Sequence, residues 1–271
     1  MLELREGNFM GEVTAFKAHD GLVSTVSYYP QERPYTEPVH YHETLHLSMV
    51  LAGGNLEKRK AKEIDCLPGK VTCYDAGELH HSLQIVPGSR QVNLEITAGF
   101  MKANDLLIGA ASIETCDAAN IRFLMLQVYR ESILNDAESA LNIASILAGL
   151  LSYKAKNEKG IPHWVPKIKE ALYDRWDESL SLTELALIAG LHPANLSGYF
   201  PKYFGCTIGQ YRRKLKIEKA LELVKFSADS LSTIAQRTGF ADQSHFTRTC
   251  KELTGWSPGQ IKAMGFKFPQ H

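Results

Sequence analysis

The chain has 271 residues, 44% of them hydrophobic, enough for two globular domains and unlike a disordered or low-complexity polymer. Its formal charge is zero, but residues 1–160 carry 15 basic and 20 acidic side chains while residues 161–271 carry 15 basic and 10 acidic, so a polyanionic partner is expected for the second half. Five cysteines without paired spacing (Cys66, Cys73, Cys116, Cys206, Cys250) argue against a disulfide framework or a cysteine zinc site, and the absence of a signal peptide or a bilayer-long apolar run makes cytoplasm, without membrane association, the expected compartment.

From Gly11 to about Thr97 the pattern is strands and turns. The stretches 22–29, 45–51, 70–74 and 91–97 are rich in residues that suit a pleated surface. Pro30, Pro34, Gly53-Gly54, Pro68-Gly69, Gly77 and Pro87-Gly88 punctuate them. Many short strands without intervening helices predict a sandwich or small barrel. If 40–50 is one extended strand, His40, His42, Thr44, His46 and Ser48 share a face. That face is polar and therefore lines a pocket, with His80 and His81 following Gly77. Four imidazoles, from His40, His42, His46 and His80, suit a divalent metal such as zinc, nickel, copper or iron. Alternatively they line an organic-ligand pocket by hydrogen bonding, or serve structure alone. Glu43 is the carboxylate beside them, and its odd position points it outward, which leaves general-base chemistry without an agent.

The period turns helical from about Asn120. One helix is expected from Ile121 to Leu134, and a second opens at Asp136 and runs to about Tyr153. The second carries Leu141, Ile143, Ala144, Leu147, Leu150 and Leu151, an apolar surface for the same helices of a second chain or for the barrel. Residues 154–160 read as a polar linker. A further helix from Val165 to Glu178 places Ile168, Leu172 and Trp176 on one side.

The rest of the chain is one helical unit written twice. SLTELALIAGL from Ser181 matches SLSTIAQRTGF from Ser230 at an offset of 49, so Leu185 falls on Ile234 and Gly190 on Gly239. After one inserted residue, TIGQYR from Thr207 matches SPGQIK from Ser257. Such a period marks a duplicated supersecondary unit. Each copy has a hydroxyl residue to cap a short helix and a glycine to end it in the left-handed conformation. A second helix follows, at about 193–204 and about 242–253, with apolar residues on one side. Between the copies, 207–225 predicts a helix of roughly 28 Å, close to the spacing of successive major grooves on one side of a duplex.

Two resemblances follow from these residues. His40-Tyr41-His42, then His46, then Gly53, with Gly77-Glu-Leu-His80 further on, resemble the two motifs of the cupin superfamily. The match departs at His46, where that family usually has Glu, and at Asp75, near an expected proline. The segment from about Val165 onward resembles the DNA-binding domain of AraC/XylS transcriptional regulators, most closely in Ile234-Ala-Gln-Arg-Thr-Gly-Phe240, Ser244-His-Phe-Thr-Arg248, Lys251, Gly255 and Ser257-Pro-Gly-Gln260.

The resemblance implies an α+β, multidomain chain. Residues 1–118 would form a cupin-like effector-binding β-barrel, 119–160 a helical pair for dimerisation with a linker, and 161–271 an all-α DNA-binding domain with two helix-turn-helix motifs. It also implies a sequence-specific transcription regulator rather than an enzyme, controlled by a small molecule at His40, His42, His46 and His80, with a sugar suggested by the architecture. Double-stranded promoter DNA, a second copy of the chain and RNA polymerase are the implied partners. The second reading helix would present Gln243, Ser244, His245, Thr247 and Arg248 to DNA. The first would present Ala194, Asn195, Ser197 and Gly198, and Pro201 is expected to kink it. Lys202, Arg212, Arg213, Lys214 and Lys251 could steer onto phosphate. The competing readings are a metal-dependent cupin enzyme and a metal sensor using the four histidines.

Overall fold

A computed structural model describes residues 2–33, 35–59, 62–105, 109–110, 113, 118–134, 138–152 and 161–264. In chain order its N-terminal strands are β1 (Leu2–Leu4), β2 (Glu12–His19), β3 (Leu22–Tyr28), β4 (His40–His42), β5 (Leu45–Ala52), β6 (Asn55–Arg59), β7 (Lys62–Cys66), β8 (Val71–Tyr74), β9 (His80–Leu83) and β10 (Arg90–Ile96). They form two five-stranded sheets, β1-β4-β9-β6-β7 and β2-β3-β10-β5-β8. β10 is the centre of the second sheet, antiparallel to β3 and β5, with Val92 opposite Val26 and Leu94 opposite Leu47.

Period-2 alternation gives this second sheet two different faces. Val92, Leu94 and Ile96 alternate with Gln91, Asn93 and Glu95, and all six are buried. Both faces are therefore covered. The helices that follow the strands are α1 (Ala98–Ala103), α2 (Ala118–Ile133) and α3 (Ser139–Ser152). Thr97 caps α1 by accepting from Phe100 N. α2 packs against β10, β3 and β2, and its Ser132 hydroxyl donates to Ser24 of β3 at 2.8 Å. The polar alternates are left to face the other sheet.

The expected single strand over 40–50 is instead two strands in different sheets. The chain crosses between them at Glu43 and Thr44, where Glu43 N donates to Leu4 O and Thr44 Oγ1 donates to Glu95. The even positions stay buried on both sides of the crossing. Asn135, Asp136, Cys116 and the linker over 154–160 lie outside the described residues. Cys66, Cys73 and Cys250 are buried, Cys206 is half-buried, and none of the four forms a disulfide.

The chain divides into two compact units, residues 1–146 with the stretch from Thr254 onward, and Leu147–Leu253. This division departs from the expected boundaries at 118 and 160. In the first unit Trp256 Nε1 donates to Leu126 O at 2.9 Å, and its ring stacks on Tyr129.

The remaining helices are α4 (Trp164–Asp174), α5 (Leu182–Ala189), α6 (Pro193–Phe204), α7 (Ile208–Phe226), α8 (Leu231–Arg237), α9 (Gln243–Thr254) and α10 (Pro258–Ala263). The duplication in the sequence is repeated in the caps. Ser181 and Ser230 cap α5 and α8, while Thr207 with Gln210 and Ser257 with Gln260 form capping boxes on α7 and α10. Gly190 and Gly239 follow α5 and α8 at φ 66° and 71°, a conformation that costs other residues strain. Ile168, Leu172, Leu185, Leu196, Phe200 and Tyr211 share one buried cluster, so α4 packs with α5 and α6 as its apolar side predicted. Pro201 lies inside α6 without ending it, and Gly205 N still donates to Pro201 O.

Candidate functional site

Between the two sheets lies a recess of about 420 Å³, counting its open mouth. β4 contributes His40 and His42, β5 contributes His46 and Ser48, β9 contributes His80, and β8 contributes Tyr74. The structure brings these four histidines together, their rings in one cluster of tilted and edge-on contacts. His42 lies 4.1 Å from His46 and His40 4.4 Å from His80, centroid to centroid, while Tyr74 stacks on His46 at 4.4 Å and on His80 at 4.2 Å. Phe9 closes one side, 4.8 Å from His42. Thr44 does not line the recess and instead bonds Glu95.

The tautomers of two imidazoles follow from their partners. His40 Nδ1 donates to Pro38 O and His80 Nδ1 to Glu78 O, each at 2.9 Å. Nε2 is thereby left as the lone-pair nitrogen. Burial holds both rings below the usual imidazole range, His80 at about 3, and burial pushes His46 well below it. These three rings are neutral at physiological pH.

The expectation that Glu43 is the only carboxylate near the histidines is corrected by three others, Glu57 and Glu95 on strands distant in sequence and Glu37 just before β4. Glu95, fully buried on β10, sets Oε1 3.7 Å from His42 Nδ1 and accepts from Thr44 Oγ1 at 3.1 Å and from Gly7 N at 2.5 Å. Glu57 of β6 and Glu37 before β4 line the recess itself. A chain of polar groups leads to Glu57: Ser48 donates to Gln91, Gln91 to Asn55, and Asn55 and Ser82 to Glu57 Oε2, at 3.2 to 3.4 Å. Burial pushes both carboxyls up to about 7, and at Glu57 the neighbouring Glu37 charge adds to the effect. The alternation Gln91, Asn93, Glu95 was the available signal for this lining.

His40, His42 and His80 each bring one nitrogen within 4.8 Å of the others. Three such donors, two of them oriented by backbone carbonyls, suit a transition metal ion. Tetrahedral zinc bonds of about 2.0–2.1 Å put neighbouring nitrogens about 3.4 Å apart, so the rings would have to draw together to hold one. His46 is not part of this trio.

The candidate nucleic-acid contacts lie in the second unit. On α9, Phe246 and Cys250 are fully buried, while Gln243, Ser244, His245, Arg248 and Lys251 are exposed and Thr247 is half-exposed. Asp242 fixes the start of α9 by accepting from His245 N at 2.7 Å. On α6, Leu196 and Phe200 are fully buried, and Ala194, Asn195, Ser197, Gly198 and Lys202 are exposed. Arg212 is placed otherwise than a phosphate contact would need: its guanidinium donates to the carbonyls of Leu180, at 3.0 Å, and Glu178. The bend after α4 leaves those carbonyls without helical partners, a signal that helix periodicity does not carry.

Comparison with known proteins bears on the same helices. A family profile described as "Helix-turn-helix domain" matches residues 185–264. The arabinose operon regulatory protein of Escherichia coli K12 is 24% identical over 233 residues, 80% of each chain. The HTH-type transcriptional activator RhaS of Escherichia fergusonii is 33% identical over 91 residues, 34% of this chain and 33% of RhaS. Among solved structures, ToxT of Vibrio cholerae aligns over 91% of this chain and 98% of ToxT at 14% identity, with a TM-score of 0.38, too low to bear on the arrangement here. The chain therefore carries a helix-turn-helix domain over residues 185–264 and is similar, over four fifths of its length, to a curated operon regulator.

Proposed function

We propose that this protein is a sequence-specific DNA-binding transcription regulator whose activity is set by a small molecule held in the recess between the two sheets. The observation that carries the reading is α9. It is an amphipathic helix anchored by Phe246 and Cys250, with Gln243, Ser244, His245 and Arg248 outward, inside the segment matched as a helix-turn-helix domain. These side chains are the types that hydrogen-bond base edges or phosphates. The repeated caps and glycines support α5–α6 and α8–α9 as two helix-turn-helix motifs, the second the stronger reader of bases. Arg212 holds the fold rather than the duplex.

Two sheets carrying His-x-His on β4 and Gly77 before His80 support a cupin-like barrel as the effector domain, with His40, His42, His46 and His80 in its binding wall. Exposed Ile133 and Leu141 support pairing of two copies through α2 and α3. Regulation in the cytoplasm, together with RNA polymerase, fits this reading better than catalysis, because the curated relatives are transcriptional regulators. Fluorescence anisotropy on a selected DNA site tests it. Arg248→Ala should weaken binding by about 1–3 kcal/mol, and the wild-type affinity should fall steeply with salt. Binding indifferent to both would sink the reading.

A further inference from the structure

The recess offers a ligand more hydrogen-bond acceptors than donors. His40 and His80 use their Nδ1 protons on backbone carbonyls, so each presents only a lone pair at Nε2. Glu37 and Glu57 line the wall at 3% and 1% exposure. Glu57 Oε1, Glu37 Oε1 and Asn93 Oδ1 are buried without a partner among the described residues. An unmatched buried acceptor is costly, and an unmatched buried carboxylate more so. Ser82 links the two glutamates: Glu37 N donates to Ser82 O at 3.0 Å, and Ser82 Oγ donates to Glu57 Oε2 at 3.3 Å.

No Lys or Arg is among the described lining residues. Arg59, a cation near Glu57, is already engaged: its Nε lies 3.2 Å from Glu78, its Nη1 donates to Cys73 O at 2.8 Å, and its guanidinium lies over the Tyr74 ring, 5.2 Å from the centroid. Tyr29 stands in the same wall, and aromatic faces attract cations. A neutral polyol would bring about as many acceptors as donors and leave this surplus uncorrected. A protonated amine brings donors alone, and its positive charge favours the ionised form of the two carboxyls. A bare metal ion would go to the three imidazoles rather than to a wall of carboxyls, amides and phenol rings.

We propose that the Glu37–Glu57 end of the recess binds a small organic cation, a protonated amine whose N–H groups reach the two carboxylates while its carbon skeleton lies against Tyr29. The proposal rests on the reading of the recess as the effector site and names the chemical class of that effector. The Nε2 atoms of His40 and His80 receive a second donor group, so a diamine or an amino alcohol of a few carbons fits better than a simple alkylamine.

Calorimetry on the full chain tests this, with butane-1,4-diamine, 2-aminoethanol, erythritol and zinc chloride as separate titrants. The proteins are the wild type, Glu37→Gln and Glu57→Gln. Glutamine keeps the shape and removes the charge, and a cooperative thermal transition of each variant without ligand verifies that it folds. At least one of the two amines should bind the wild type and lose at least about tenfold in affinity in each variant, as expected when a buried charge pair loses one member. Binding of erythritol or zinc without binding of an amine overturns the proposal. So does no amine binding at all, or amine binding unchanged in both variants. DNA binding measured on the same preparations separates the two readings. DNA binding without an amine response defeats the cation proposal and leaves the regulator standing; an amine response without DNA binding does the reverse.

Discussion

Glu57 shows what the recess costs the fold. Its carboxyl is pushed up to about 7 by burial and by Glu37, against the ordering effect of Ser82 and the charge of Arg59, with Tyr74 and Cys66 also facing it. A folded-state value above the unfolded one means that the folded protein binds the proton more tightly. The associated stability is present below about 4.5 and is lost as pH rises through 7, an effect of at most about 3 kcal/mol. Glu57→Gln removes that loss. Thermal unfolding at pH 5 and pH 8 should show the wild type destabilised over this interval by more than the variant, whereas equal changes would contradict the assignment. His80, held at about 3, titrates in the opposite sense as pH falls below 6.5, and because it is common to both proteins it cancels in the comparison. The histidines were legible in the sequence because alternation survives the crossing from β4 to β5. Glu37 and Glu57 were not, since neither lies in a stretch with recognisable periodicity. Glu95 was within reach, as the third polar member of the alternation that begins at Gln91.

At the scale of elements, legibility followed locality. Capping serines, the glycines at 190 and 239 and the apolar faces of α4, α6 and α9 are decided within a few residues, and the observed helices begin and end close to where those signals stand. β6 and β7 were missed because Asn55–Arg59 and Lys62–Cys66 are dominated by charged side chains. Only pairing with each other, and of β6 with β9, makes them strands. The kink expected at Pro201 does not end α6, since proline removes a single donor on an exposed side of the helix. Arg212 belongs to this scale too. Two carbonyls beyond α4 depend on its guanidinium, so Arg212→Ala should cost about 1–2 kcal/mol of stability, read as a lowered unfolding temperature. Lys202→Ala, at an exposed position, should leave that temperature unchanged. A stable Arg212→Ala protein with weakened DNA binding would return Arg212 to the phosphate contacts.

For the whole molecule, the acidic first half and basic second half fit the proposed division of work between a small-molecule recess and a polyanion surface. Chain order was legible because the hydrophobic period changes from two to near four at about Asn120. The division into units was not, since Trp256 belongs with Leu126 and Tyr129, 130 residues away, a pairing no local pattern announces. Binding-site selection from random double-stranded DNA by the full chain tests the regulator reading most directly. It should be repeated on a variant with Gln243, His245 and Arg248 changed to alanine, and on one with Asn195 and Ser197 changed to alanine. The wild type should enrich one motif, the α9 variant should lose it, and the α6 variant should keep most of it. No enriched motif for the wild type, or the same motif surviving the loss of the α9 side chains, would contradict the account.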